Sequence, residues 1–213
     1  MQTAGNVRLE KVADQIFDTN SYLVYDPTTL DGAVIDANLE PQRMVDLIET
    51  TGVRVGAILL THSHIDHIQG LAILKAYTGA PVWVDAREAE VVAGRADSHA
   101  SAFGLTYEPV EPDRFYVDGA SVEVGNFALE AISTPGHSPG GTSLRLSRWL
   151  FTGDALFAGS IGRTDLPGGD TQMLLDSIRT RLMIFEDDYI VFSGHGASST
   201  IGQERRYNPF LTP

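Results

Sequence analysis

The sequence predicts an α/β fold, a four-layer α/β/β/α sandwich. Two observations carry this. Each half of the chain is a run of short strands followed by helical spacing, and the apolar runs have the length and period of strands that face a core. In the first half, 7–12 ("VRLEKV") and 21–25 ("SYLVY") alternate with period two, and 32–36 ("GAVID") is β-rich before a turn. The segment 39–52 places Met44, Val45, Leu47 and Ile48 at helical spacing, with Gly52 as a stop. Continuously apolar 55–60 reads as a buried strand, 67–79 as a helix ended by Gly79, 81–85 as a strand and 86–94 as a helix. The stretch 95–114 has no period and is predicted to be a mobile surface loop.

The second half begins again with strands at 114–117, 121–125, 127–134, 142–147 and 149–153. A helix over 170–185 follows, with Asp170 as its N-cap, then a strand at 189–194 and a short helix at 202–210. Trp83 and Trp149 lie on apolar strands and are assigned to the core. With no linker or low-complexity tract, 1–213 reads as one domain.

Composition narrows the function. Fifteen Lys and Arg against 28 Asp and Glu leave a net charge of −13, which repels phosphate backbones and disfavours nucleic-acid partners and a basic membrane face. The absence of cysteine excludes a disulfide framework, a thiolate nucleophile and a Cys-ligated zinc finger. The N-terminal residues have no apolar signal-peptide core and no run reaches a membrane span, so a soluble cytoplasmic protein is expected.

Three of the six histidines, with an aspartate, fall within 62–67 of "THSHIDHIQG". His62 and His64 are two residues apart at the end of an apolar strand, so both rings reach one side. Asp66 and His67 come where the chain turns into helix and aim at a neighbouring point. A lone histidine there would read as an exposed polar residue at a strand end; four metal-capable groups straight after a buried strand point to metal. Three further positions repeat one design of apolar strand, glycine and metal-capable side chain: His137 in "STPGHSPGG", Asp154 in "LFTGDALF" and His195 in "FSGHGASS". His99 falls outside the pattern and is assigned to the surface.

The set T-H-x-H-x-D-H, P-G-H, G-D and G-H, in that order from about residue 12 to 210, resembles the metallo-β-lactamase superfamily. The resemblance implies one metal held by His62, His64 and His137, a second by Asp66, His67 and His195, and Asp154 bridging the two. It implies catalytic roles for Asp66 and Asp154, and the superfamily's α/β/β/α sandwich with the metals at one edge between the sheets. Nitrogen and oxygen ligation suits zinc, iron or manganese without choosing among them; two divalent ions are expected, zinc first. Such a pair lowers the pKa of a shared water towards about 7, which supplies hydroxide without a serine or cysteine nucleophile.

The stretches 159–170 ("GSIGRTDLPGGD") and 194–210 resemble small glyoxalase II-like hydrolases. That implies a small-molecule thioester such as S-lactoylglutathione, cleaved by metal-bound hydroxide. A thiolate with a pKa of about 8.5 leaves without a proton donor. The glutathione loop of full-length glyoxalase II is not recognisable around 160–169. The alternative reading is a persulfide dioxygenase holding one iron on His62, His137 and Asp154. A metal-stabilised scaffold is set aside, since seven ligands exceed the four of a structural zinc. A secreted β-lactamase is disfavoured by the absent signal peptide, and a nuclease by the acidity. A monomer or homodimer is expected, the latter through an edge strand or the 95–114 segment.

Other residues have paired readings. Arg163 and Asp165 form a buried ion pair bracing the Gly-rich loop, or contact substrate. Arg205, Arg206 and Tyr207 form an exposed helix face or a handle for a carboxylate. Ser198, Ser199 and Thr200 are read as caps of the last helix. Asp36 either orients a ligand histidine or is a turn residue.

Overall fold

The computed structural model describes residues 2–4, 6–98 and 100–212. In chain order the first half runs β1 (Gln2–Ala4), β2 (Val7–Ala13), β3 (Asn20–Tyr25), β4 (Asp31–Ile35), α1 (Pro41–Thr51), β5 (Arg54–Leu59), α2 (Ile65–Ile68), α3 (Leu71–Thr78), β6 (Val82–Val84), α4 (Ala89–Val92) and β7 (Arg114–Phe115). The second half runs β8 (Ser121–Val124), β9 (Phe127–Ser133), β10 (Thr142–Leu146), β11 (Trp149–Gly153), β12 (Leu156–Phe157), β13 (Ser160–Ile161), α5 (Thr171–Ser177), β14 (Ile190–Ser193), β15 (Ser199–Thr200) and α6 (Ile201–Tyr207).

Among the described residues the strands form a seven-stranded sheet in order β1 to β7 and a six-stranded sheet in order β15-β14-β11-β10-β9-β8. The first is antiparallel from β1 to β4 and parallel from β4 to β7, because helices cross over between the later strands. Adjacent residues on its central strands serve opposite faces. Ala33, Ile35, Ala57 and Leu59 enter the core between the sheets, while Val34, Ile58 and Leu60 enter the core under α1 to α4. The second sheet repeats this: Trp149, Phe151 and Phe192 face the first sheet, and Leu150 and Val191 face α5 and α6. Phe151 and Phe192 stack with centroids 5.3 Å apart, and Tyr22 crosses from the facing sheet at 5.3 Å from Phe151. The predicted four layers are therefore present, with a core inside and one beneath each helical layer. No helix among the described residues is long and apolar enough to cross a membrane.

Local signals hold well at the ends of α1 and α3. Gly52 and Gly79 both adopt left-handed conformations and donate to Ile48 O and Lys75 O. Asp170 caps α5 by accepting from the Met173 amide. Several expectations need correction. The helix expected over 67–79 is two, α2 and α3, broken at Gly70, where a Cβ would strike Asn38 O and Pro41. The helix at 86–94 is only α4, and that at 170–185 passes into a wider turn over Ile178–Leu182. Strands β1, β12, β13 and β15 were not foreseen; each is two or three residues long, too short to show a period. Trp149 is buried, but Trp83 is only half-buried. Thr200 alone caps α6; Ser199 lies in β15. The 95–114 segment is irregular, with a tight turn at Ala100–Phe103, and buried Ala100 and Val110 pin it to the helical layer.

Candidate metal centre

Four segments deliver the predicted residues to one edge between the sheets. The chain leaving β5 carries His62 and His64 and enters α2 with Asp66 and His67. The β9–β10 turn carries His137, the end of β11 carries Asp154, and the end of β14 carries His195. Backbone hydrogen bonds tie these together: Thr142 N donates to Thr61 O at 2.9 Å, and Gly194 N to Gly153 O at 2.8 Å. Gly194 is required for closeness, since a Cβ there would overlap Asp154 Oδ1 and crowd His67 Cε1.

The donor atoms converge on two neighbouring points. His137 Nε2 lies 2.7 Å from His64 Nδ1 and 3.2 Å from His62 Nε2. Asp66 Oδ2 lies 3.5 Å from His67 Nε2 and 3.2 Å from His195 Nε2. Asp154 spans both sets, with Oδ2 at 3.5 Å from His137 Nε2 and 3.3 Å from His195 Nε2, and Oδ1 at 3.3 Å from His67 Nε2. Most of these separations approach the roughly 3.3 Å edge of a tetrahedron of ligands about 2.0–2.1 Å from one ion. Buried His67 Nε2 and Asp154 Oδ1 have no hydrogen-bond partner, as expected of atoms aimed at a cation. The nitrogen and oxygen donors therefore fit divalent metal.

Four of the five rings are held from behind by a partner that fixes the proton. His137 Nδ1 donates to Arg163 O at 2.7 Å and His195 Nδ1 to Phe17 O at 2.9 Å; a carbonyl can only accept, so in the neutral ring it is Nε2 that keeps its lone pair. His67 Nδ1 donates to Asp36 Oδ2 at 2.8 Å. Thr61 Oγ1 also donates to Asp36 Oδ2, so it accepts from His62 Nδ1 at 3.0 Å. Thr19 Oγ1 donates to Asp66 Oδ2 at 2.8 Å. Buried Glu88 joins the ligand loops: it accepts from Ser63 Oγ, between His62 and His64, and from Gly140 N at 2.6 Å, three residues past His137.

Several of these supports were not anticipated. The 14–19 loop is shaped by Asp14, which accepts from the amides of Ile16, Phe17 and Thr19. The legible signal was Asp14 followed by the polar turn residues Asp18 to Asn20. Glu88 left none, because it sits within what reads as an ordinary helix. Asp36 performs both roles proposed for it, with a left-handed φ of 59° and the ring contact just described. The Arg163–Asp165 pair is not buried as expected: its side chains are 54% and 69% exposed, because the loop faces solvent at the pocket rim. Arg163 reaches the site through its carbonyl instead. Arg205 and Arg206 pair with Asp187, and Tyr207 is exposed, which agrees with a solvated helix face. His99 lies outside the described residues.

The electrostatics separate the two donor sets. Burial, reinforced by the His67 and His64 imidazoles, pushes His62 well below its ordinary pKa; burial and then His137 bring His64 down to about 3. Burial would also depress His67, but the Asp66, Asp154 and Asp36 carboxylates overcome it and hold His67 well above the ordinary value. His195 likewise loses to burial and gains more from Asp154 and Asp66, reaching about 10. Burial would raise both carboxyls, yet His67 and then His195 bring Asp66 to about 2 and hold Asp154 well below the carboxylate range. Without metal near pH 7, His62 and His64 are thus neutral, and the second set carries protons on His67 and His195. A raised pKa means that the proton is kept to higher pH, so loading the second set must expel it and acid opposes loading. Titrating zinc into the metal-free chain near pH 7 is expected to release about two protons, chiefly with the second equivalent. Calorimetry in buffers of different ionisation enthalpy measures this, and loading without proton release would contradict it.

Comparison with known proteins agrees with the geometry. The family description "Metallo-beta-lactamase superfamily" matches residues 15–195. The chain is 36% identical over 209 residues to the hydroxyacylglutathione hydrolase GloC of Haemophilus influenzae, covering 96% of this chain and 98% of that one. Among solved structures, the BLEG-1 B3 metallo-beta-lactamase superposes with a TM-score of 0.91 at 32% identity, covering 97% of this chain and 100% of that one. TTHA1623 in a di-iron-bound form superposes at 0.85 with 36% identity, covering 95% and 100%. With its sandwich, its two converging donor sets and these likenesses over nearly the whole length, the chain belongs to the metallo-beta-lactamase superfamily.

Proposed function

We propose that this chain is a metal-dependent hydrolase acting on a small-molecule thioester. His62, His64 and His137 would hold one divalent ion, Asp66, His67 and His195 a second, and Asp154 both. The observation that carries this reading is the completeness of the second set. Thr19, Asp36 and the Phe17 carbonyl hold Asp66, His67 and His195 with their donor atoms turned inward. A dioxygenase using one iron on His62, His137 and Asp154 gives these supports no task.

Two such ions, when bound, supply a water of lowered pKa and Lewis-acid stabilisation of a carbonyl oxygen. The chain's own residues do the rest. Asp66 and Asp154 stay ionised at neutral pH, so each can accept a hydrogen bond from the attacking water and orient it. The cavity over the site measures about 170 Å³, enough to admit a thioester carbonyl with a compact group attached. Besides the donor residues, its described polar lining is Ser98 and Arg163, with no carboxylic acid placed to protonate a leaving group. A thiolate, with a pKa of about 8.5, needs none.

S-lactoylglutathione is the first substrate to assay, given the activity named for the Haemophilus relative. The expected result is about two metals per chain by elemental analysis and loss of the thioester absorbance on mixing. Zinc is the first metal to supply, with iron and manganese alongside. A chain that holds one iron and consumes O₂ with glutathione persulfide, leaving thioesters intact, would sink the proposal.

A further inference from the structure

We infer that the site selects a compact apolar acyl group, through a wall formed by Phe17, Ile65, Phe103 and Leu166. The inference rests on the thioester-hydrolase reading above and concerns which thioester that is.

The wall and the reacting position are mechanically linked. Phe17 directs its carbonyl to His195 Nδ1 at 2.9 Å and also lines the cavity, so the backbone unit that orients this histidine sets the ring's distance from the carbonyl under attack. Phe103 meets Phe17 edge to face, with centroids 5.6 Å apart and planes at 85°. It comes from the Ala100–Phe103 turn, on a different loop, so the two rings close one side of the cavity together. Ile65 and Leu166 supply the remaining apolar lining. Phe103 is 46% exposed, a large apolar side chain that water wets until something covers it.

The same lining is poor in partners for charge. Apart from the metal-type residues, Arg163 is its one ionisable side chain among the described residues, and Asp165 already engages it in a two-pronged pair. A carboxylate on the acyl group would be desolvated against phenylalanine with no unpaired side-chain cation of the described lining to meet it. The chain's net charge of −13 adds no attraction for the carboxylates of a glutathione arm. An alkyl or aryl acyl group meets neither obstacle and covers the exposed ring.

The test is an acyl series on one neutral thiol, with the zinc-loaded chain and the N-acetylcysteamine thioesters of acetate, propionate, butyrate and lactate, beside S-lactoylglutathione. The expected kcat/KM rises about fourfold per added methylene from acetyl to butyryl, and butyryl exceeds lactoyl. Phe103→Ala flattens the butyryl-to-acetyl ratio, and Phe103→Leu keeps most of it. Ligand-observed NMR gives a readout independent of turnover: butanamide binds the metal-free parent chain and not Phe103→Ala. Equal binding by both chains, or by neither, overturns the inference. So does a flat acyl series in the parent, an unchanged slope in Phe103→Ala, or S-lactoylglutathione outpacing the butyryl thioester tenfold. In those cases thioester hydrolysis itself stands; if no thioester of the panel is cleaved, both readings fall.

Discussion

Replacing Asp154 by alanine is expected to lower kcat/KM for thioester cleavage at least about a thousandfold and to remove one of the two proposed metals. The carboxylate is buried and contacts both donor sets, with His137 on one side and His67 and His195 on the other. Among the described carboxylates it is the one that pairs with a histidine of each set. Its loss leaves His67 and His195 facing each other with Asp66 beside them and Asp36 behind His67 to offset their charge, which weakens the second set more than the first. Elemental analysis after dialysis, with initial rates on the same sample, measures both effects. Asp154→Asn keeps the volume and one acceptor oxygen but not the charge; it should retain the fold and still lose the second metal. Full metal content with full activity in either variant would remove Asp154 from the proposed centre.

Asp36→Asn is expected to weaken metal binding about 10- to 100-fold while leaving KM nearly unchanged. One carboxylate here governs two rings, receiving His67 Nδ1 directly and His62 through the Thr61 hydroxyl. Its other oxygen accepts from the Thr61 amide at 2.7 Å. An amide in its place presents N–H groups where donors already point, so one of the buried contacts must break. Asparagine tolerates the left-handed backbone at this position, so strain is not the cause. Competition with a chelator of known affinity gives the metal constants, and thermal melting of the metal-free chain separates a binding defect from unfolding. Unchanged affinity would mean that the rings orient without this carboxylate.

Much of this architecture was legible because the signals were dense. The strands from 7 to 60 alternate or run apolar over the right lengths, and Gly52 and Gly79 stop their helices where expected. The donor residues were legible because histidine is rare in the chain and five of its six sit just past strand ends or in the short helix that follows one. What stayed hidden was support supplied by the backbone. A carbonyl such as Phe17 O or Arg163 O has no residue signature, since any amino acid provides one. Arg163 shows the hazard: its side chain drew notice, whereas its main chain orients His137. The short strands escaped because two or three residues cannot express a period. Glu88 escaped because its partners, Ser63 and Gly140, lie 25 and 52 residues away.

Glu88 also settles when the site is assembled. By clasping Ser63 to Gly140 it fastens a loop of one sheet to a loop of the other with protein atoms alone. The entropy lost in gathering five imidazoles is therefore spent once, as the chain folds, and not again each time an ion arrives. Capture of an ion at the proposed centre would then be the filling of a preorganised vessel.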